Sequence, residues 1–253
     1  MKILYFDCPM GAAGDMLMGA LFELCPDQAA FLQTFARLKL PGVVLRAEPA
    51  SSWGQNGTHM RLTVHDHEET EHHHAHHHHH SPLDVAGIIT QLPVSDWVKT
   101  NARAVYHRIA RAESKAHGVP VTEVHFHEVG ALDAIGDVVG CCMLLEMIAP
   151  EAIFASPIAL GAGTVRCAHG VLPVPAPATE NLLAGIPTCP GPVTGELCTP
   201  TGAALLAHFA AAFGPRPALS PASVGCGIGT KDFGRPNCVY AVLGAGDCAG
   251  LLK

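Results

Sequence analysis

Between His65 and His80 the chain carries ten histidines in sixteen residues. Asp66, Glu68, Glu69 and Glu71 are interleaved upstream, and the run HHHAHHHHH closes the tract. No apolar residue recurs there at a helical or strand period, so nothing anchors the segment in a core; a disordered surface loop over 65–81 is expected. Any fold must therefore close around this interruption, with an α/β segment over 1–64 before it and the remainder of the same domain over 82–253 after it. A purification tag is the bland alternative. Tags sit at termini, however, and the interleaved acids argue for native sequence.

The rest of the chain has the material for a core: 253 residues, 49% of them hydrophobic. Lys and Arg total 15 against 22 acidic residues, so no basic field gathers nucleic acid. The start, MKILYFDCPMGAAGD, is too short an apolar run for a signal peptide, and no stretch approaches the roughly 18 apolar residues of a spanning helix. A cytoplasmic protein without a membrane partner is expected. None of the ten cysteines has C-x-x-C spacing, which reads as mostly small buried hydrophobes.

Ile3–Phe6 reads as a strand, DCPMGAAGD as a small-residue turn and MLMGALFELC as a helix. Asp27 is placed to cap a helix over DQAAFLQTFARL, and residues 43–65 read as two strands around a Gln-Asn-Gly turn. Ser95 to His117 predicts a long helix, VTEVHFHEVG an extended segment and LDAIGDVVGCCMLLEMI another helix. From Glu151 onward Gly and Pro punctuate the chain, predicting turn-rich extended backbone with two short helices and a seam between lobes near residue 151. Pro173, Pro175 and Pro177 confine their segment to an edge or connection. The fold class expected is α+β, a mixed β-sheet with flanking helices.

Neutral imidazole is a metal ligand, and with a reference pKa of about 6.5 most exposed histidines are neutral at pH 7. His72, His73, His74, His76, His77, His78, His79 and His80 are thus expected to collect a divalent metal without choosing among nickel, copper and zinc. VHFHEVGALDAIGD is more specific. If Val124–Glu128 is extended, His125 and His127 project from one face and Glu128 from the other. Asp133 and Asp137 share one face of the following helix and add oxygen ligands or orient those imidazoles. Equally, the histidines are a hydrogen-bonded sheet surface and Asp133 favours a helix N-terminus.

Three further places bear chemistry. Asp7 and Asp15 flank a turn with Gly11 and Gly14, which reads as a cation or hydroxyl site or as a plain strand-to-helix turn. Thr199 caps a helix start in which Thr201 and Gly202 leave N–H groups free, a phosphate cradle or simply a cap. Gly225, Gly227 and Gly229 share one strand face, allowing close approach to the backbone, with Lys231 and Arg235 nearby for negative charge. His169 in CAHGVLPVP is one more candidate.

Together the blocks YFDCPMGAAGDM, the His-rich loop, ESKAHGVPVTEVHFHEVGALDAIGDVVG, GTVRCAHGVLPVPAPAT, PVTGELCTPTGAALL and VGCGIGTKDF resemble the LarC family. They run in order from residue 3 to about residue 243. The resemblance implies a lyase-class nickel chelatase that inserts Ni2+ into pyridinium-3,5-bisthiocarboxylic acid mononucleotide, forming one nickel–carbon and two nickel–sulfur bonds with CTP consumed. The product, the nickel-pincer cofactor, serves enzymes such as lactate racemase. Full-length members carry the CTP site on a C-terminal domain. This chain ends at Lys253, so it looks like the N-terminal part, with a separate C-terminal polypeptide expected as partner; self-association stays open.

Under that reading His125, His127 and Glu128 serve metal binding and proton removal, with His127 and Glu128 as the catalytic pair. Gly11, Gly14, His169, Thr199, Thr201, Gly202 and Lys231 position the mononucleotide and its phosphate, and Asp7, Asp15, Asp133 and Asp137 are metal or substrate partners. Two rivals remain: a nickel chaperone or store, and a metal-dependent hydrolase built on HFHE and Asp137. The hydrolase lacks a fuller set such as H-E-x-x-H.

Overall fold

The first strand of the chain is apolar and buried at four consecutive positions, Ile3 to Phe6, the last is apolar along most of its length, and the two lie side by side. A computed structural model describes residues 1–65, 80–126, 128–167 and 170–247. The histidine tract, 66–79, lies outside the described residues, and with it the expectation of a disordered loop. The first half runs β1 (Lys2–Asp7), α1 (Gly14–Leu24), α2 (Gln28–Ala36), β2 (Val43–Ser52), β3 (Gln55–Val64), α3 (Pro82–Gln91), α4 (Asp96–His117) and α5 (Leu132–Ile148). The second runs β4 (Ala152–Ala155), β5 (Ile158–Ala159), β6 (Gly161–Ala162), β7 (Thr164–Cys167), β8 (Gly170–Pro173), α6 (Pro177–Leu182), β9 (Thr188–Cys189), β10 (Gly195–Glu196), α7 (Pro200–Phe209), β11 (Ala212–Phe213), β12 (Leu219–Ile228) and β13 (Cys238–Gly246).

Seven strands form one mixed sheet in the order β11-β4-β1-β13-β12-β3-β2. β1 pairs antiparallel with β13 and parallel with β4, which begins just after Glu151. The expected α+β class with a mixed sheet and flanking helices is what the chain forms. Among the described residues no helix is long and apolar enough to cross a membrane.

Glycine sets the layer spacing. A Cβ on Gly225 would stand 2.1 Å from the Ala20 carbonyl oxygen, one on Gly227 1.7 Å from that of Met16, and one on Gly19 2.5 Å from that of Thr58. The close approach that the alternating glycines permit is therefore made by α1 itself, backbone against backbone. On its other side α1 meets α5, where Gly140 abuts the Met18 sulfur, 2.6 Å from an added Cβ. Sandwiched this way, α1 and α5 are buried nearly all round. Their sequences are accordingly apolar at almost every position rather than along one stripe.

Local capping explains the outer helices. The Asp27 side chain accepts from the Ala30 N–H at 2.9 Å, and the Ser95 hydroxyl accepts from that of Val98 at 3.1 Å. Ser81 and Asp84 form a reciprocal capping box at α3.

Two expectations are corrected. The β2–β3 hairpin turns at Trp53–Gly54, with φ of 50° and 84°, and not at Gln-Asn-Gly, which lies within β3. A two-residue turn of this kind needs positive φ at both positions, and the Trp53 indole N–H is held by Asp232 at 2.8 Å. Gly57 instead makes room for the Cys226 carbonyl, 2.4 Å from an added Cβ. Likewise Val124–Glu128 is not one strand. Val124 is extended and Phe126 makes a single bridge to His80, but Glu128 opens a 3-10 turn through Gly130.

Candidate functional site

The loop after β1 is threaded tightly. Gly11 has φ +75°, and an added Cβ would lie 2.1 Å from the Leu197 carbonyl oxygen. Gly14, at the start of α1, is flanked by the Asp137 carboxylate, whose Oδ2 would be 2.5 Å from a Cβ there. The Asp15 backbone N–H donates to that carboxylate. Burial, then the charges of Asp15 and Asp133, push the Asp137 carboxyl well above the ordinary range, and the hydrogen bond only partly offsets them. Three carboxylates thus converge where α1 starts and the first turns of α5 pass.

Other groups close on the same place. His59 of β3 stands with Nδ1 3.0 Å from the Ile228 carbonyl oxygen and 4.0 Å from Asp15 Oδ2. Cys141 donates to the Gly14 carbonyl at 3.6 Å; its thiol is raised chiefly by burial and further by Asp137. The Tyr106 hydroxyl donates to the Val129 carbonyl at 3.0 Å, and burial followed by Asp133 and Asp137 holds it well above its usual value. Neither His59 nor Tyr106 was singled out from the sequence. Both reach the carboxylates through long-range contacts that local spacing does not report.

A second donor set adjoins the first. The His80 carbonyl accepts from the Phe126 N–H at 3.0 Å, and His80 Nδ1 lies 2.9 Å from the Gly130 carbonyl oxygen. A carbonyl only accepts, so Nδ1 carries the proton and Nε2 keeps its lone pair. Metal-binding histidines are commonly oriented by this kind of contact. His125 is exposed. Asp84 is held below the usual carboxylate range, first by its hydrogen bonds to Ser81 and in smaller part by His80 and His125. Consecutive carbonyls of the 128–130 turn, Val129 to Tyr106 and Gly130 to His80, tie the two donor sets together.

The remaining candidates fall elsewhere. Asp7 pairs across the sheet with Tyr240, on the face opposite α1. At α7 the Thr199 hydroxyl accepts from the Gly202 N–H at 3.2 Å, the Thr199 N–H donates to the Ala12 carbonyl at 3.0 Å, and Thr201 is buried. That helix start buttresses the 8–13 loop, leaving the Ala12 carbonyl 2.2 Å from an added Cβ on Gly202. Lys231 is exposed, in a loop whose Lys231 carbonyl accepts from Asn237 at 3.0 Å. His127, His169 and His72–His79 lie outside the described residues. Among the described residues no three His, Cys, Asp or Glu side chains form a ready-made metal cage.

Residues 4–250 match the model of the family described as Nickel insertion protein. A Geobacter sulfurreducens protein named "Putative nickel insertion protein" is 43% identical over 235 residues, 92% of this chain and 58% of that protein. A Dictyoglomus thermophilum protein of the same name is 40% identical over 247 residues, 96% of this chain and 61% of its own length. A Desulfitobacterium hafniense protein named "Pyridinium-3,5-bisthiocarboxylic acid mononucleotide nickel insertion protein" is 40% identical over 247 residues, 96% of this chain and 58% of that protein. The chain thus spans about three fifths of the length of these relatives. No solved structure matches it at a significant level.

Proposed function

The chain belongs to the nickel insertion protein family, LarC, and from that membership we propose that it inserts nickel into pyridinium-3,5-bisthiocarboxylic acid mononucleotide to make the nickel-pincer cofactor. The observation that supports this placement of the chemistry is the junction at the 128–130 turn, where oriented imidazole meets clustered carboxylate. His80 and His125 offer nitrogen to nickel. Asp15, Asp133 and Asp137 offer oxygen, and a divalent cation offsets both the burial that chiefly raises the Asp137 carboxyl and the repulsion from Asp15 and Asp133 that adds to it. A cationic pyridinium ring benefits from the same negative field.

Insertion replaces a ring C–H bond by a C–Ni bond and releases one proton, so a base must stand at the ring. His127 and Glu128 are the assigned pair, since they adjoin both donor sets in sequence. The two thiocarboxylate sulfurs complete the coordination of nickel. Gly11, Gly14, Thr199, Thr201, Gly202, His169 and Lys231 are assigned to holding the mononucleotide, and the histidine tract to collecting nickel. CTP and a C-terminal polypeptide are assigned to the part of the relatives that this chain does not span. The product then serves enzymes such as lactate racemase.

The test is to mix the chain with the purified bisthiocarboxylate mononucleotide and nickel, with and without CTP and the C-terminal polypeptide, following cofactor by absorbance and mass. Cofactor formation that is lost in a His125→Ala/His127→Ala double variant of unchanged circular dichroism is expected. Full activity in that variant overturns the residue assignment. Nickel binding with no mononucleotide binding under any condition makes the chain a nickel chaperone or store instead.

A further inference from the structure

On the sheet face opposite α1, Cys226 of β12 pairs with Tyr240 and Ile228 pairs with Cys238 of β13. The two cysteines therefore lie on the diagonal of neighbouring cross-strand pairs. Both are almost shut from solvent, at 7% and 1% exposure, in an apolar cluster with Ile228 flanked by Ala50 and Tyr240. Their thiols hydrogen-bond to each other, Cys226 donating and Cys238 accepting. Asp7 stands opposite Tyr240 on the same face, and from the α1 side of the sheet the Glu23 carboxylate accepts from the Cys226 N–H at 2.9 Å. The proposed insertion reaction assigns Cys226 and Cys238 no role.

We propose that Cys226 and Cys238 form a two-coordinate site for a soft, thiophilic cation, copper(I), held linearly between the two sulfurs. The site rests on sheet geometry and is independent of the proposed insertion reaction. Diagonal neighbours in an antiparallel pair are about 7–8 Å apart between Cα atoms, whereas a disulfide asks for roughly 4.4–6.8 Å. Closing an S–S bond would drag the central strands together. Two metal–sulfur bonds of about 2.3 Å each span a sulfur–sulfur distance of about 4.5 Å without that movement. Among the described residues no third His, Cys, Asp or Glu joins the pair in a metal-binding group. Ions that demand four ligands are thereby poorly served, and thiolate softness selects copper(I).

The balance is simple. Hydrogen bonding, first from Cys226 and then from Tyr240, lowers the Cys238 thiol, which favours one thiol sharing its proton with a thiolate. Copper(I) takes the place of that shared proton: one S–H bond breaks, two S–Cu bonds form, and one proton leaves. No electron is transferred and the net charge of the site is unchanged.

The test uses the full chain without oxygen, copper(I) and a chromophoric copper(I) chelator in tenfold excess. One equivalent of copper retained by the wild type and by Cys189→Ser, but lost from Cys226→Ser and Cys238→Ser, is expected, with two sulfur neighbours in the X-ray absorption spectrum. Cys226→Ala and Cys238→Ala, which add no hydroxyl to the apolar cluster, serve if the serine variants fold poorly. Equal copper retention in all variants overturns the proposal. So does ready formation of a Cys226–Cys238 disulfide under mild diamide oxidation, with copper retention indifferent to the substitutions; that outcome makes the pair a redox couple.

Discussion

His80 aims Nδ1 at the Gly130 carbonyl oxygen from 2.9 Å, across fifty residues of sequence. This contact sets the neutral tautomer and leaves the Nε2 lone pair available at the junction between the tract and the 128–130 turn. In a chain lacking residues 66–79, so that the tract cannot mask the effect, His80→Ala should weaken nickel binding by about 10–100-fold. Isothermal titration at pH 7.5 reads it. Affinity unchanged by the substitution would remove His80 from the site.

Asp137 carries a pH signature. Its folded pKa is raised, so the folded chain holds a proton that the unfolded chain has released once pH exceeds about 3.9. The associated stability is fully present below the unfolded pKa and is lost as pH rises toward the folded one. Asp137→Asn cannot ionise and still accepts the Asp15 N–H. It should gain stability over wild type as pH climbs from 4 to 8, by about 1.4 kcal/mol per unit of pKa shift removed, while losing nickel affinity. Urea unfolding across that range checks it; parallel profiles for the two proteins would refute the raised carboxyl.

What the sequence disclosed follows from the range of the forces involved. The Asp27 and Ser95 caps and the apolar run of α5 act within a few residues, and the helices they predict form where expected. The hairpin turn was misplaced because Gly57 looks like a turn residue but answers to Cys226, a strand away and far along the chain. The glycines at 225 and 227 signalled close approach correctly without naming α1 as the partner. At the site, the spacing of Asp133 and Asp137 was readable. Their meeting with Asp15 needs α1 and α5 to cross, and the part of His59 needs β3 to lie beside β12.

Three glycines separate these causes experimentally. Gly227→Ala drives a Cβ to 1.7 Å from the Met16 carbonyl oxygen, and should destabilise the chain by about 1–3 kcal/mol or more as α1 is pushed off the sheet. Gly54→Ala meets nothing within 4 Å but keeps φ +84°, so about 1–2 kcal/mol of backbone strain is expected. Gly87, in α3, is open and has no positive φ; its replacement by Ala should stabilise by about 0.5–1 kcal/mol. Denaturant midpoints should rank the three as Gly87→Ala, Gly54→Ala, Gly227→Ala from most to least stable. A neutral Gly227→Ala would mean that α1 does not lie on β12.

Deleting residues 66–79 while keeping His80 distinguishes collection of nickel from insertion. Histidines on a tether raise the effective concentration of metal at a nearby site without adding to that site's own ligands. The deletion should therefore raise the nickel concentration needed for half-maximal cofactor formation by tenfold or more, leaving the maximal rate at saturating nickel within about twofold. The measurement is a nickel titration of cofactor formation at fixed mononucleotide, CTP and C-terminal polypeptide, with free nickel set by a buffer such as citrate. A collapse of the maximal rate that excess nickel fails to restore would place part of the reaction on the tract itself.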